Sequence, residues 1–196
     1  MKSFEDLRTV RWNEGRIILI DQTELPHRLS FVECISVDEV ASANKKLMVR
    51  GAPAIGVAAA MGLALTAQKS RSSVREELLE ELSSSAKLLT GTRPTAANLS
   101  WALQRILTVA GGAGPTVELV KRAVISEAIR MADEDVEANR RMGEFGATLI
   151  ADGDVVMTHC NRPLEAGVGR VRGPSPLSAT ALPSECSEQL DELGSM

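Results

Sequence analysis

The 196-residue chain carries 26 acidic and 22 basic side chains, which gives a formal net charge of −4 at pH 7. This balance excludes the basic surface of a nucleic-acid-binding protein and the polybasic patch of a protein that binds membrane surfaces. Aromatic residues make up only 3% of the chain and tyrosine is missing, which also excludes the stacking platforms of single-strand binders.

Three extended segments come first in the predicted order of elements. Residues 10–12 and 16–20 lie on either side of Asn13-Glu14-Gly15, whose glycine suits the positive φ that a short hairpin loop requires. A third run, residues 29–35, follows Pro26. Together these segments predict a small antiparallel sheet.

Two helices with recognisable starts follow the sheet. Ser36 and Glu39 have the S-x-x-E spacing of a capping box, which predicts that a helix begins there. Arg50-Gly51-Ala52 then breaks the pattern. Pro53 suits the first turn of a second helix, which we expect to run to about Gln68.

Three more helices are predicted in the middle of the chain. Residues 73–76 form a second capping box before a helix whose leucines recur at helical spacing. Arg93-Pro94 predicts a proline-initiated helix that continues to about Val109, with a linker over residues 111–115. The fifth and longest helix follows, and we expect a break near Gly143.

The chain changes character after one last predicted strand. Residues 155–158 are a short apolar strand of the fully buried kind, ending at His159-Cys160-Asn161. Residues 162–196 hold four of the eight prolines and show neither a period of 2 nor one of 3.6. This composition is typical of a tail.

Cysteine usage and apolar runs predict the compartment. Cys34, Cys160 and Cys186 are widely spaced, odd in number and form no C-x-x-C pair, so neither a disulfide framework nor a structural zinc site is predicted. The acidic start lacks the apolar core of a signal peptide, and the longest apolar run, residues 52–67, is too short for a bilayer. We therefore expect a soluble, cytoplasmic protein.

Two loops combine an arginine with a proline that starts a predicted helix. Arg50 precedes Gly51-Ala52-Pro53, and Arg93 precedes Pro94. Free backbone N–H groups and the positive dipole end make a helix start an anion site, and a guanidinium group adds a charge-assisted fork for phosphate oxygens. Gly51 would let the backbone approach a ligand closely. The alternative is that both are solvated arginines in ordinary loops.

Cys160 stands where the last predicted strand meets a loop, the edge at which open α/β sheets place their ligands. It could act as a nucleophile or general acid–base, or it could be a small buried hydrophobic residue. Neighbours on a strand face opposite sides, so Cys160 and His159 would not both face one site. Asp21-Gln22 closes a strand, and we interpret these polar residues as part of a turn. We interpret Cys34 as a core residue of a strand.

Several strings, in order over residues 8–161, resemble the signature of methylthioribose-1-phosphate isomerases. The longest is residues 48–60, which read MVRGAPAIGVAAA. The others are Val10-Arg11-Trp12, Asp21-Gln22-Thr23 with Leu25-Pro26, Arg93-Pro94-Thr95 leading to Leu99, Glu134-Asp135 with Asn139, and Asp152-Gly153-Asp154 leading to Thr158-His159-Cys160-Asn161.

The resemblance implies a mixed α/β fold with a small N-terminal antiparallel sheet. Residues 1–145 would form this sheet and a helical domain. Residues 146–161 would begin a Rossmann-like catalytic domain, here truncated after its first strand, and residues 162–196 would be an aberrant tail. The resemblance further implies a homodimer for the intact family member.

The resemblance also implies an activity, the conversion of 5-methylthioribose 1-phosphate to 5-methylthioribulose 1-phosphate in methionine salvage. No metal or organic cofactor is implied, and the expected partner is a small sugar phosphate rather than nucleic acid or a membrane. Arg50, Gly51, Ala52 and Arg93 would hold the phosphate. Cys160 would carry a proton between C1 and C2, opposite an aspartate of the C-terminal half.

Three alternatives share parts of this pattern. A non-catalytic regulatory subunit of the translation-initiation exchange factor 2B type would share the fold and bind a sugar phosphate or nucleotide as a signal. Ribose-1,5-bisphosphate isomerases are the nearest alternative among enzymes. A helical interaction module without a small ligand is the third.

The end of the chain departs from the family pattern. In the frame given, residues 162–196 do not match the family's continuation, whereas residues 171–190 read in a shifted frame can be made to match it. We therefore expect an out-of-frame tail. We also expect an inactive chain, because the partner aspartate is missing from it.

Overall fold

The computed structural model describes residues 8–149, and within this range the chain forms three strands followed by five helices. The strands are β1 (Val10–Asn13), β2 (Arg16–Ile20) and β3 (Phe31–Cys34). The helices are α1 (Val37–Lys45), α2 (Ala52–Lys69), α3 (Arg75–Thr90), α4 (Ala97–Gly112) and α5 (Val117–Ala147). The expected small sheet and helical domain are confirmed, and the fold is mixed.

The sheet is antiparallel in the order β1-β2-β3, as the sequence predicted. Val10 pairs with Leu19 and Ile17 pairs with Cys34, so alternating residues of the strands form one buried face. The hairpin turn has positive φ at Glu14 (48°) and Gly15 (85°), which suits the twist of a two-residue connection.

Helix α2 is the centre of the core. Its residues are almost all apolar and small, most of them are buried, and it contacts every other helix as well as β1 and β2. A side chain at Gly56 would lie 3.0 Å from the Asn98 carbonyl oxygen of α4, and one at Gly62 would lie 3.2 Å from Leu89 of α3. These glycines therefore let α3 and α4 approach α2 closely.

The orientation of the sheet on α2 separates the two ends of the helix. Gly15, at the tip of the β1–β2 hairpin, lies against Gln68 near the C-terminal end of α2. The other end of β2 leads to Gln22, whose backbone N–H donates to the Met48 carbonyl at 3.0 Å, just before α2 begins. The strand β2 therefore runs antiparallel to α2 and brings its final residues to the helix start.

One of the two predicted capping boxes forms. The Ser36 hydroxyl accepts from the Glu39 N–H at 3.3 Å, and the Glu39 carboxylate accepts from the Ser36 N–H at 3.2 Å. The predicted box over residues 73–76 is wrong, because Val74 is the N-cap of α3 and has no side-chain cap. The Ser72 hydroxyl there donates to the Glu77 carboxylate at 2.6 Å instead.

The predicted bounds of the last two helices are corrected as well. Pro94 does not start α4, because it lies in a turn closed by a 3.0 Å hydrogen bond from the Ala96 N–H to the Arg93 carbonyl. Helix α4 starts after this turn and continues through Gly111, which was expected in a linker. Helix α5 passes Gly143 without a break. The ion pair between Arg140 and Glu144 spans that glycine at i, i+4 spacing.

Ion pairs also join helices α4 and α5. The Glu127 carboxylate of α5 is buried and accepts hydrogen bonds from Arg105 of α4 at 2.6 Å and from Arg130 at 2.9 Å. A buried carboxylate is stable only when it is paired and hydrogen-bonded, so this cluster fixes the spacing of the two helices.

The remaining predictions of architecture fall outside the described range. The apolar strand 155–158 and the tail 162–196 lie beyond residue 149, so the domain bounds 1–145, 146–161 and 162–196 stay predictions. Among the described helices, none combines the length and the apolar character needed to cross a membrane.

Asn44, in the last turn of α1, gives a prediction about stability. Its side chain is fully buried, and neither its amide nitrogen nor its amide oxygen has a hydrogen-bond partner among residues 8–149. Asn44→Leu keeps a similar shape and removes both unpaired polar groups. We expect it to raise the free energy of unfolding by about 1–3 kcal/mol. Urea unfolding with an unchanged m-value would measure the gain.

Asn44→Asp is the matched control, because it keeps the shape and places a charge in the same environment. We expect this variant to lower the free energy of unfolding. A loss of stability in Asn44→Leu would show that the amide of Asn44 has a partner in solution and would contradict the account.

Candidate functional site

The loop between α1 and α2 contains the first predicted arginine. The Met48 N–H donates to the Ala43 carbonyl at 3.0 Å, and Leu47 adopts a left-handed φ of 60°, so the chain turns sharply as α1 ends. Val49 is then buried in the core, whereas the neighbouring Arg50 is exposed. Val49 therefore holds the loop against the core, and Arg50 is exposed to solvent.

The start of α2 lacks the usual partners of a helix N-terminus. Gly51 is the N-cap with a φ of 88°, it provides no side-chain cap, and the first turn holds no acidic residue. Pro53 has no N–H group, and the N–H groups of exposed Ala52 and buried Ala54 have no hydrogen-bond acceptor among residues 8–149. An exposed helix start with unsatisfied N–H groups and its positive dipole end can bind an anion.

Neither predicted arginine is paired in the described part of the chain. Arg50 is exposed and Arg93 is half-buried, and the guanidinium groups of both have no hydrogen bond or ion pair within residues 8–149. Several other arginines, by contrast, bond to carboxylates. No group among the described residues therefore competes with an anionic ligand for Arg50 or Arg93.

The two arginine loops precede helices that touch near their starts. The backbone of Asn98, in the first turn of α4, packs against Gly56, in the second turn of α2. Arg93 lies just before the turn that leads into α4, and Arg50 lies just before α2. This packing is consistent with a common site, and the convergence of both guanidinium groups on one anion stays a prediction. The two loops differ in that only Pro53 lies in a helical first turn.

Sequence reasoning predicted the role of Asp21 but missed that of Gln22. The Asp21 carboxylate accepts from the N–H and the hydroxyl of Thr23, at 2.9 and 2.6 Å, which is the expected turn chemistry. Gln22 does more, since its side-chain amide donates to the Arg50 carbonyl at 3.3 Å. The signal that could have found it is a pair of polar residues directly after an apolar strand, within the family-like strings.

The cysteines divide into one that the structure describes and two that it does not. Cys34 is buried in β3, and its burial, with the nearby Glu39 carboxylate, raises the pKa of its thiol to about 11. The thiol therefore stays protonated near neutral pH, and its interpretation as strand core is confirmed. Cys160, the predicted catalytic residue, and Cys186 lie outside residues 8–149.

Within residues 8–149, no three His, Cys, Asp or Glu side chains group to hold a metal.

Comparison with known proteins gives a family match. The model of the Initiation factor 2 subunit family matches residues 48–171. The methylthioribose-1-phosphate isomerase of Pelotomaculum thermopropionicum is 45% identical over 165 residues, which cover 83% of this chain and 45% of the relative. The 5-deoxyribose 1-phosphate isomerase of Moorella thermoacetica is 43% identical over 159 residues, with coverages of 81% and 45%.

Two solved structures have a similar fold. The 5-methylthioribose 1-phosphate isomerase of Pyrococcus horikoshii superposes with a TM-score of 0.80 at 41% identity, covering 86% of this chain and 48% of that one. A structure from A. fulgidus titled translation initiation factor eIF-2B, subunit delta, gives a TM-score of 0.76 at 48% identity, with coverages of 83% and 48%. The chain thus spans about half the length of the relatives it matches.

Proposed function

This chain belongs to the initiation factor 2 subunit family, and we propose that the protein is an aldose–ketose isomerase of the methionine salvage pathway. It converts 5-methylthioribose 1-phosphate to 5-methylthioribulose 1-phosphate. The observation that carries the proposal is the start of α2, where backbone donors without a side-chain cap lie beside Arg50, whose guanidinium group has no partner among residues 8–149. Relatives named isomerases of 5-substituted ribose 1-phosphates support the substrate class.

The phosphate group is bound by the start of α2. The N–H groups of Gly51 and Ala52 donate to phosphate oxygens, and the guanidinium group of Arg50 adds a charge-assisted fork. Gly51 has no side chain to block this approach and adopts its φ of 88° without strain. Arg93 reaches the same phosphate from the turn before α4 and neutralises its second charge.

The reaction breaks the ring bond between C1 and O4 and relocates two hydrogens: the proton on C2 moves to C1, and the C2 hydroxyl proton passes to O4 as C2 becomes a carbonyl. Cys160 carries a proton between C1 and C2, opposite an aspartate that intact members of the family supply from their C-terminal half. The phosphate on C1 keeps the ring from opening freely, so the site must hold the sugar while it opens and must exclude water from the intermediate. In this proposal residues 146–161 begin the catalytic domain, residues 162–196 are an out-of-frame tail, and the intact protein is a cytoplasmic homodimer.

The second candidate is a non-catalytic subunit that binds a sugar phosphate or nucleotide as a signal. The solved structure titled as a subunit of eIF-2B, at 48% identity, favours it. Both candidates use the anion site at α2, so phosphate binding does not separate them. An isomerisation assay on an intact member of the family separates the two candidates, because only an isomerase requires Cys160.

The phosphate site predicts a loss of affinity when either arginine is removed. We expect Arg50→Ala and Arg93→Ala each to weaken the binding of 5-methylthioribose 1-phosphate roughly tenfold to hundredfold. This range corresponds to about 1.5–3 kcal/mol for a hydrogen bond to a charged group. Isothermal titration calorimetry on the 196-residue chain would measure the change.

Arg71→Ala is the matched control for this experiment. Arg71 is exposed, lacks a partner within residues 8–149 and lies just after the C-terminal end of α2, far from Arg50. Its removal changes the net charge equally and should leave the dissociation constant within about twofold, because surface charges at this distance are screened. Equal losses in all three variants would contradict a localised site.

The catalytic proposal makes a separate prediction for an intact family member that carries a cysteine at the position of Cys160. Replacing that cysteine by serine should abolish isomerisation and leave substrate binding largely intact, because a hydroxyl cannot take over the acid–base role of a thiol. The matched control, in a member that also carries a cysteine at the position of Cys34, is the replacement of that core thiol, which should leave turnover near normal. Near-normal turnover of the serine variant at position 160 would overturn the role.

A further inference from the structure

We propose that Gln22 is a positioning residue for the loop between α1 and α2 (residues 46–51), because it sets the direction of the peptide group between Arg50 and Gly51. The inference rests on the proposed function of the α2 start. It goes beyond that function by assigning a role to a residue outside the loop, on the sheet side of the molecule.

Gln22 is itself held firmly in place. It is buried and follows directly on β2 and Asp21. The Asp21 N–H donates to the Ser30 carbonyl at 2.9 Å, and the Asp21 carboxylate binds both the N–H and the hydroxyl of Thr23. The turn on either side of Gln22 is therefore fixed by several hydrogen bonds before Gln22 makes any contact with the loop.

Gln22 holds the loop at two carbonyl groups. Its backbone N–H donates to the Met48 carbonyl at 3.0 Å, and its side-chain amide donates to the Arg50 carbonyl at 3.3 Å. The chain bends at Met48 and Val49, so the two accepting carbonyls lie on either side of this bend. The arrangement accordingly buries Val49 in the core and leaves Arg50 exposed.

The bond to the Arg50 carbonyl also determines where the Gly51 N–H points. A trans peptide is planar, so its C=O and N–H groups point in opposite directions. With the Arg50 carbonyl held toward Gln22, the Gly51 N–H points away from Gln22. Gly51 is the N-cap of α2, so this donor adds to the free donors of the first helical turn.

A glycine at position 51 makes this control necessary. Glycine adopts positive and negative φ about equally well, so the peptide between Arg50 and Gly51 can rotate unless something holds it. If it rotates, a carbonyl oxygen replaces an N–H beside the anion and repels it. The donor on Gln22 selects the orientation that attracts phosphate.

Two variants of the 196-residue chain test this role against inorganic phosphate as the probe. Gln22→Ala removes the side-chain donor, and Gln22→Glu keeps the length of the side chain but replaces the donor with an acceptor. We expect Gln22→Ala to weaken phosphate binding roughly tenfold and Gln22→Glu at least as much, by calorimetric titration. Binding within twofold of the parent in both variants would overturn the proposal.

Thr66→Val is the control for a general loss of stability. The Thr66 hydroxyl lies in α2 toward its C-terminal end and bonds to Ser85 at 2.9 Å and to the Gly62 carbonyl at 3.3 Å. Its removal also costs a partly buried hydrogen bond and should lower the melting temperature by a similar amount as Gln22→Ala, with phosphate affinity unchanged. An equal loss of affinity in Thr66→Val would assign Gln22 a merely structural role.

A second measurement separates the failure of this proposal from the failure of the proposed function. The residual dipolar coupling of the Gly51 N–H, measured by NMR without ligand, reports the direction of that bond. We expect one well-defined orientation in the parent and in Thr66→Val, and an averaged coupling in Gln22→Ala. If the parent does not bind phosphate, the proposed site fails, and an unchanged coupling in Gln22→Ala would still overturn the role of Gln22.

Discussion

The burial of α2 is the constraint on which the rest of the structure depends. This helix is apolar on nearly all sides, so the sheet and the other four helices must surround it to remove that surface from water. Only its two ends can then reach solvent with polar groups. At the N-terminal end the backbone donors of the first turn have no side-chain cap, and this leaves one place on the helix where an anion can satisfy them.

The elements around α2 supply that end with polar groups in different ways. The antiparallel course of β2 along α2 delivers Gln22 to the carbonyl side of the Arg50 loop. The close contact between Gly56 and Asn98 brings the start of α4, and with it the turn that follows Arg93, against the second turn of α2. The sheet thus contacts the Arg50 loop through Gln22, and α4 starts close to the same end of α2, where we propose that Arg93 adds a second cation.

The parts of the fold that local chemistry determines could be predicted from the sequence. The hairpin at Gly15 and the capping box of Ser36 and Glu39 depend on neighbouring residues, and both are confirmed. The predictions that failed concern the start of α3 and the continuity of α5. Val74, and not Ser73, is the N-cap of α3, and the neighbouring Arg75 donates to the Gly114 carbonyl of the α4–α5 connection at 2.8 Å. Gly143 stays helical, and the ion pair between Arg140 and Glu144 bridges it.

The candidate site could likewise be predicted from the sequence only in part. The sequence points to Arg50, Gly51 and Arg93 through residue types that suit phosphate, and the structure adds that neither arginine is paired within the described residues. The role of Gln22 could not be predicted, since it depends on where a strand ends relative to a helix far along the chain. Asn44 lies four residues after Val40 on the buried side of α1, and helical spacing alone does not reveal that its amide lacks a partner among residues 8–149.

The most direct test of the phosphate site is an NMR titration of the backbone amides with 5-methylthioribose 1-phosphate. We expect saturable shifts centred on Gly51, Ala52 and Ala54, with a smaller response at residues 93–96. The amides near Lys69, at the far end of α2, should not respond. Shifts concentrated at that far end, or no shifts at millimolar ligand, would contradict an anion site at the start of α2.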